Sequence, residues 1–216
     1  MLPVARKILA ELDGIGALFD APLTGRIRVG VPDDFDDGVL EQVLANFAHR
    51  YPDVNVEATS GCTSRFERSI QKNSLDIAVC SGIGADGEQT FSPEPTVWAA
   101  QEQFRFDFSS EQVPIAVLDR PCWWRDLPIK ALNDAGLGYR VVFKSASFPS
   151  MRAAIRSGLA VGVLPLHCVE DNMRVLSVKQ GFPELPAAVR SLIISEEAPA
   201  DLTSAMAQAI RRAIGN

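Results

Sequence analysis

Apolar and polar positions between Arg26 and Val79 follow an order that predicts strand, helix, strand, helix, strand. Ile27–Val31 is a short apolar run typical of a buried strand, and the apolar side chains from Val39 to Phe47 recur at helical spacing. Proline disfavours helical backbone in the residue before it, so Tyr51-Pro52 ends the first of these helices. The next predicted elements are a strand at Val54–Ala58, a helix over Thr63–Gln71 and a strand at Leu75–Cys80. Strands that alternate with helices indicate a parallel sheet with helices on its faces.

The second half of the chain repeats such units less regularly. Its predicted strands are Thr96–Ala100, Pro114–Leu118, Arg140–Phe143, Val161–Leu164, Met173–Val178 and Val189–Ile194. Its predicted helices are Trp123–Ala135, a helix capped by Ser147 that runs to about Ser157, and Ala200–Ile214. A separate amphipathic helix over residues 4–19 precedes the whole pattern.

This order indicates an α/β fold of two Rossmann-like subdomains joined by a hinge. We expect the chain to cross between them near Ala99–Gln101 and again near Leu192–Ser195, so that the last helix returns to the first subdomain. The first subdomain then comprises residues 24–99 and 195–216, and the second comprises residues 100–194. A cleft between two subdomains is a common place for a small ligand.

The composition is that of a soluble globular protein. Of the 216 residues, 47% are hydrophobic and 22% are charged. The net charge of −6 argues against a surface that grips nucleic acid, because phosphate binding needs clustered Lys and Arg. The longest apolar run, Leu159–Leu166, is far shorter than the roughly 20 residues that span a bilayer, and no signal peptide is recognisable. We therefore expect a cytoplasmic protein without a membrane partner, whose cysteines are free thiols.

No pattern typical of a catalytic, metal or cofactor site stands out. The two histidines, His49 and His167, show neither metal-ligand spacing nor a neighbouring nucleophile motif. The run Gly82-Ile83-Gly84-Ala85-Asp86-Gly87 matches the dinucleotide-binding fingerprint, but prolines follow where a helix would have to hold the pyrophosphate. We therefore predict a protein that is not an enzyme and that carries no metal and no cofactor. Cys62 precedes a predicted helix, a position that favours thiol reactivity, although most such cysteines are small buried hydrophobes.

Four groups of residues together resemble the effector-binding domain of LysR-type transcriptional regulators. They are Leu2–Leu9, Gly25–Gly30, Phe47–Val54 with Leu75–Val79, and Met151–Pro165. None is specific alone, but all occur in the order and spacing of that family, and the resemblance covers essentially the whole chain. The turn Pro32-Asp33-Asp34-Phe35 is similar to a branch of the family that carries two aspartates followed by an aromatic residue.

The resemblance implies a two-lobed fold like that of the type 2 periplasmic binding proteins. It also implies a small-molecule effector in the cleft and a homodimer or homotetramer. In such a dimer the first helix and second strand of one chain meet the helix Ser147–Ser157 and its strand in the other. Residues 1–21 are similar to the end of the linker helix of the family. The winged helix-turn-helix is thus expected to be missing, and DNA would be a partner only through that domain.

Candidate effector contacts come from the strand ends and from the resemblance. Ligands in open α/β sheets lie at the carboxyl ends of strands, where helix N-termini point. The candidates are Asp33, Asp34, Thr63, Ser64, Ser145, Ser147 and Phe148, with Ala100 and Val163 as further ones. The polar candidates at helix starts are equally explained as helix caps. A carboxylate in the cleft, from Asp33 or Asp34, would favour a cationic or hydroxylated effector over a plain carboxylic acid.

Two other functions fit the same fold. A solute-binding protein of an uptake system shares it, although the lack of a signal peptide and the similarity to a linker helix argue against that function. A small enzyme would need a catalytic pair that meets in the cleft, and the sequence shows none.

Overall fold

The computed structural model describes residues 22–82, 91–106, 108 and 112–215. The helix predicted over residues 4–19, the linker-helix assignment of residues 1–21 and the glycine motif beyond Gly82 lie outside the described residues. The strands are β1 (Gly25–Pro32), β2 (Val54–Gly61), β3 (Ile77–Gly82), β4 (Thr96–Gln101), β5 (Val113–Leu118), β6 (Tyr139–Ser145), β7 (Gly162–Pro165), β8 (Met173–Leu176) and β9 (Val189–Ile194). The helices are α1 (Asp37–Arg50), α2 (Thr63–Gln71), α3 (Trp123–Asp134), α4 (Phe148–Arg156) and α5 (Ala200–Ile214).

The first sheet has the strand order β2-β1-β3-β9. β1 runs parallel to β2 and β3, as the alternating pattern predicts, whereas β9 pairs antiparallel with β3. On one face, Ile27 of β1 packs in a core with Phe47 of α1 and Met206 of α5, and all three are almost fully buried. On the other face, Phe66 of α2 packs with Ala78 of β3. Helices therefore cover both faces of this sheet.

The second half of the chain holds a three-stranded sheet, β7-β4-β8, and a two-stranded sheet, β5-β6, and we call the two together the second sheet. β4 lies between β7 and β8 and is antiparallel to both, while β5 and β6 are parallel. A bridge between Ile115 and Val161 joins the β5–β6 pair to the chain just before β7. Trp98 and Met151 belong to the core of this sheet, which is separate from that of the first. Sheets flanked by helices in both halves of the described chain confirm the predicted α/β fold.

The sheet pairings place the crossing points at residues other than the predicted ones. The prediction places Thr96–Ala99 in the first subdomain, but β4 pairs only with strands of the second sheet among the described residues. It also places Val189–Ile194 in the second subdomain, but β9 pairs with β3 along its whole length. The crossings therefore lie near the bridge between Glu94 and Ala188, earlier than residues 99–101 and 192–195. An apolar run fits either sheet equally well, so the sequence pattern does not choose between them.

Side-chain caps explain why α1 and α4 begin where they do. Asp36 is the N-cap of α1, and its Oδ1 accepts a hydrogen bond of 2.9 Å from the backbone N–H of Val39. Ser147 is the N-cap of α4, and its Oγ accepts a hydrogen bond from the N–H of Ser150. Within the described residues, no helix has the length and apolar character needed to cross a membrane.

A buried ion pair ties β1 to the start of β3. Asp76 accepts hydrogen bonds from the backbone N–H of Arg28 at 2.7 Å and from its Nη2 at 2.6 Å. Burial opposes the charge of Asp76, but the contacts with Arg28 outweigh it and hold the pKa of this carboxyl below its usual value. The pair fixes the parallel strands that carry one wall of the cleft.

Candidate functional site

A cavity of about 260 Å³ lies between the two sheets, and we call it the inter-sheet cavity. Its lining comes from the chain that follows β1, β2 and β5 and from the end of β3. The lining residues are Asp33, Asp34, Cys62, Thr63, Ser64, Glu67, Ser81, Gly82, Arg120, Cys122, Trp123 and Trp124. Pockets for drug-sized ligands have roughly 300–1,000 Å³, so this volume suits a smaller molecule.

An ion pair joins the two sides of this cavity. Nη2 of Arg120, which follows β5, donates hydrogen bonds to both carboxylate oxygens of Asp33, at 2.7 and 2.6 Å. Nη1 of Arg120 also donates to the carbonyl oxygen of Ala146 at 3.2 Å. The backbone N–H of Asp33 donates to the carbonyl oxygen of Gly61, which fixes the turn after β1. Because Arg120 neutralises Asp33, the charge of Asp33 is not free to select a cationic ligand.

The hydroxyl group of Thr63 is fully used within the first sheet. Its Oγ1 accepts a hydrogen bond from the N–H of Ser81 at 2.8 Å and donates one to the carbonyl oxygen of Ser81 at 3.1 Å. This exchange fastens the start of α2 to β3. Ser64 reaches the other side, since its Oγ donates to the carbonyl oxygen of Pro121 at 3.4 Å.

Two helix N-termini face the inter-sheet cavity without side-chain caps. Cys62 is the N-cap residue of α2 and Cys122 is that of α3, and neither side chain accepts a hydrogen bond from its helix. The first-turn N–H groups of a helix carry partial positive charge and favour an anionic or hydrogen-bond-accepting group. Burial raises the pKa of the Cys122 thiol, so this side chain stays neutral near pH 7.

Two indole rings form the apolar wall of the cavity. The ring centroids of Trp123 and Trp124 are 4.1 Å apart, and Trp124 packs in turn against Phe148 in the second core. The Nε1 atoms of both tryptophans are buried and have no hydrogen-bond partner within the described residues. Such a wall suits an apolar group of a ligand.

Asp34 is the most buried carboxylate of the lining, with 3% of its surface exposed. The Nη2 of Arg190 donates to its backbone carbonyl oxygen at 3.2 Å and lies 3.5 Å from its Oδ2. Oδ2 itself accepts no hydrogen bond in the described structure. Burial raises the pKa of Asp34, and the nearby charge of Arg190 only partly opposes this.

Arg190 links the cavity wall to the crossing segments. It donates to Oε2 of Glu94 at 2.8 and 3.1 Å and to Oγ of Ser81 at 3.2 Å. Oε1 of Glu94 in turn contacts Nδ1 of His167, from the second sheet. Burial opposes the charge of the His167 imidazolium, but the contacts with Cys168 and Glu94 outweigh it and raise the pKa of His167 to about 10. Both partners hold the pKa of Glu94 below its usual value against the effect of burial.

A second, smaller cavity of about 150 Å³ lies beside the first and shares Asp33 and Asp34 with it. The start of α1 forms one side, and the start of α4 with the turn at His167 forms the other. Of the predicted effector contacts, Phe148 lines this cavity rather than the larger one.

The structure brings some predicted residues together and separates others. Asp33, Asp34, Thr63 and Ser64 line the inter-sheet cavity, so their contact with an effector stays a prediction. Ser145 and Ser147 serve the turn before α4, where Oγ of Ser145 accepts a hydrogen bond from the N–H of Ser147. They line neither of the two cavities.

Two predicted contacts are corrected by burial. Ala100 has no exposed surface and Val163 has 2%, and both belong to the core of the second sheet. Neither lines the two cavities, because both side chains are buried in that core.

Sequence reasoning missed several lining residues. Arg120 and Glu67 are isolated charges without a motif, and only the folded chain brings them to the cavity. The pair Trp123-Trp124 carried a usable signal, since aromatic residues at the start of a helix deserve testing as ligand contacts. Among the described residues, no group of three or more His, Cys, Asp or Glu side chains could hold a metal ion.

Comparisons with known proteins agree with this architecture. The family model described as "LysR substrate binding domain" matches residues 20–215. The chain is 31% identical to the HTH-type transcriptional regulator DgdR of Burkholderia cepacia, over 98% of this chain and 72% of that protein. It is 25% identical to the HTH-type transcriptional regulator PecT of Dickeya dadantii, over 97% of this chain and 66% of that protein.

A solved structure shares the fold. The regulatory domain of CcmR from Synechocystis PCC6803, in complex with 2-PG, superposes with a TM-score of 0.66 at 16% identity. The match covers 89% of this chain and 99% of that domain.

Proposed function

Since the chain belongs to the LysR substrate-binding domain family, we propose that it is the effector-binding and oligomerisation domain of a LysR-type transcriptional regulator. A small-molecule effector binds in the inter-sheet cavity and thereby controls how the longer regulator binds DNA. The observation that carries the proposal is the composition of this cavity, whose walls come from both sheets and are joined by the Asp33–Arg120 pair. A ligand there touches both halves, so it shifts their arrangement by the difference in its affinity for the two states.

The relatives support a regulatory role over the two other functions that fit the fold. The curated relatives are transcriptional regulators, not uptake proteins or enzymes. The regulatory domain of CcmR binds 2-PG, and we propose a comparably small ligand here. The chain spans 72% and 66% of the lengths of DgdR and PecT, so DNA binding is proposed for a longer regulator that acts in the cytoplasm.

Thermal unfolding with a library of metabolites tests effector binding. A true effector raises the melting temperature by mass action. At a concentration 100 times its Kd it adds about 2.7 kcal/mol to the free energy of unfolding. Ser64→Leu places a larger apolar side chain at the cavity and should abolish the shift. Ser204→Leu, on the exposed side of α5, is the matched control and should keep it. A shift that survives Ser64→Leu would show that the ligand binds elsewhere.

The homodimer is proposed through β2, which is an edge strand of the first sheet and mostly exposed. Open edges either pair with another chain or carry protective features. Ala58→Arg adds a charge to this edge and should shift the protein towards monomer in gel filtration with light scattering. Ala135→Arg makes the same change at the exposed C-cap residue of α3 and should leave the assembly unchanged. A wild-type protein that stays monomeric at high concentration would contradict the proposal.

A further inference from the structure

The two cysteines at the inter-sheet cavity differ from the other two in their exposure. Cys62 and Cys122 are half-buried, and both line the cavity. Cys80 and Cys168 have 5% of their surface exposed and belong to hydrophobic cores. Burial raises the pKa of Cys80 to about 12, so this thiol stays neutral and unreactive. The thiols that a small molecule can reach are therefore those at the cavity.

The two half-buried cysteines come from opposite sides of the cavity. Cys62 follows β2 of the first sheet and is the N-cap residue of α2. Cys122 follows β5 of the second sheet and is the N-cap residue of α3. Neither side chain caps its helix, so the caps do not depend on either thiol.

A single hydroxyl group lies between the thiol of Cys62 and the chain that carries Cys122. Oγ of Ser64 is 3.4 Å from Sγ of Cys62. The same Oγ donates a hydrogen bond of 3.4 Å to the carbonyl oxygen of Pro121, the residue before Cys122. The two cysteines are thus neighbours in space across the boundary between the sheets.

The guanidinium group of Arg120 lies near both thiols. Burial opposes its charge, but the contact with Asp33 and the proximity of Cys62 and Cys122 raise the pKa of Arg120. Burial also raises the pKa of the Cys122 thiol, and the backbone of Arg125 and the charge of Arg120 partly oppose this effect. A cation beside a sulfur atom stabilises the thiolate that takes part in thiol–disulfide exchange.

We propose that Cys62 and Cys122 form a reversible disulfide that joins the two sheets across the inter-sheet cavity, with a small-molecule disulfide as the oxidant. The thiolate of one cysteine attacks the small disulfide, forms a mixed disulfide and releases one small thiolate. The other cysteine then attacks the protein sulfur of the mixed disulfide, closes the bond and releases the second small thiolate. The two protons of the cysteines pass to the released thiolates, so the protein loses two electrons and the small disulfide gains them.

The bond acts as a redox-sensitive lock on the cavity. A disulfide keeps its two Cα atoms within about 7 Å of each other, so the starts of α2 and α3 cannot separate while it is closed. In a reducing environment both thiols stay free, and the lock closes only as the concentration of small disulfides rises. This inference goes beyond the proposed function, because the bond forms whether or not an effector binds.

Equilibration with glutathione tests the bond directly. The purified chain is incubated at pH 8 with graded ratios of oxidised to reduced glutathione, quenched with acid, alkylated and digested for mass spectrometry without reduction. We expect one linked pair of peptides, Cys62 with Cys122 of the same chain, which dithiothreitol separates. Closing the loop between these residues should raise the melting temperature by roughly 10 °C.

Cysteine variants show which thiols the temperature shift needs. Cys62→Ser and Cys122→Ser should each abolish the difference in melting temperature between the oxidised and the reduced chain. Cys168→Ala removes a buried thiol instead and should keep the difference. Each variant is compared with its own reduced form, so a lower starting stability does not affect the result. The peptide map of the wild-type chain decides the question even where a variant fails to fold.

Three results would overturn the inference. The first is a chain that keeps four free thiols at every glutathione ratio. The second is a mixed disulfide with glutathione at Cys62 or Cys122 that persists without closing the protein disulfide. The third is a linked pair of peptides that involves other cysteines or two different chains. None of these results bears on effector binding, which the metabolite library tests separately.

Discussion

The guanidinium group of Arg120 and the carboxylate of Asp33 meet across the inter-sheet cavity, with Nη2 of Arg120 at 2.7 and 2.6 Å from the two carboxylate oxygens. One residue follows β5 of the second sheet and the other follows β1 of the first. Each side chain is only 20% exposed, so water screens the pair incompletely. The pair is therefore a contact that any change in the separation of the two sheets must break.

A double-mutant cycle on this pair should give a coupling energy of about 1–3 kcal/mol in urea unfolding. The variants are Asp33→Asn, Arg120→Gln and their combination. The matched control is the pair of Lys130 and Asp134, whose side chains are 73% and 63% exposed on one face of α3. Exposed pairs of this kind contribute about 0.5 kcal/mol or less. Equal coupling in both cycles would show that Asp33 and Arg120 do not hold the two sides together.

Thr63→Val should destabilise the protein by about 1–3 kcal/mol, because it removes a hydroxyl group that makes two hydrogen bonds to Ser81. The N–H of Ser81 would then lack its acceptor. Thr59→Val makes the same substitution at an exposed position of β2 and should lower the free energy of unfolding far less. Chemical denaturation measures both. A loss of effector affinity without a loss of stability would instead place the Thr63 hydroxyl on the ligand.

The stability of the protein should fall as the pH rises from about 6.5 to about 10 through the titration of His167. Its folded pKa is about 10, above the ordinary value of 6.5, so the folded state holds its proton more tightly than the unfolded state. The contribution is complete below pH 6.5 and is lost as the pH approaches 10. We expect a loss on the order of 1–3 kcal/mol.

His167→Gln should flatten this pH dependence, and the difference from wild type in urea unfolding isolates the contribution of the histidine. His49→Gln, on the exposed face of α1, is the control and should leave the dependence as it is. A wild-type profile that matches that of His167→Gln would mean that Glu94 does not hold the imidazolium in the folded state.

Gly30→Ala should cost about 1–3 kcal/mol, because β1 passes too close to its neighbours for a side chain. A Cβ at Gly30 would lie 2.9 Å from atoms of Phe66, Leu75 and Ala78. Gly82→Ala, at the end of β3, places a Cβ where no atom lies within 4 Å and should be nearly neutral. Thermal unfolding of the two variants measures the difference, and equal melting temperatures would show that α2 moves aside freely.

Local signals predicted much of the fold. The bounds of α2 and α5 agree with the predicted ones, because apolar spacing is a local property of the chain. The crossing points were misplaced, because β4 and β9 find their partners far along the chain and their apolar runs fit either sheet. Pairing partners of this kind carry no signal in a single sequence.

The residues of the site also divide into those that the sequence predicts and those that it does not. Asp33, Asp34, Thr63 and Ser64 follow strand ends, and strand ends of a parallel sheet meet at one edge, so the sequence predicts their neighbourhood. Arg120 reaches that neighbourhood only through the packing of the second sheet, and no pattern around it marks it. Ala100 and Val163 belong to buried strands, where a position near a hinge does not imply contact with the cleft.

The antiparallel pairing of β3 with β9 has a consequence for synthesis on the ribosome. Ser81 and Arg190 are partners in this ladder although they lie 109 positions apart. The first sheet therefore stays one strand short until almost the whole chain has emerged, while every strand of the second sheet is already available. We expect the second sheet to fold first during translation and to bring β9 to its place, so that the protein completes its N-terminal half last.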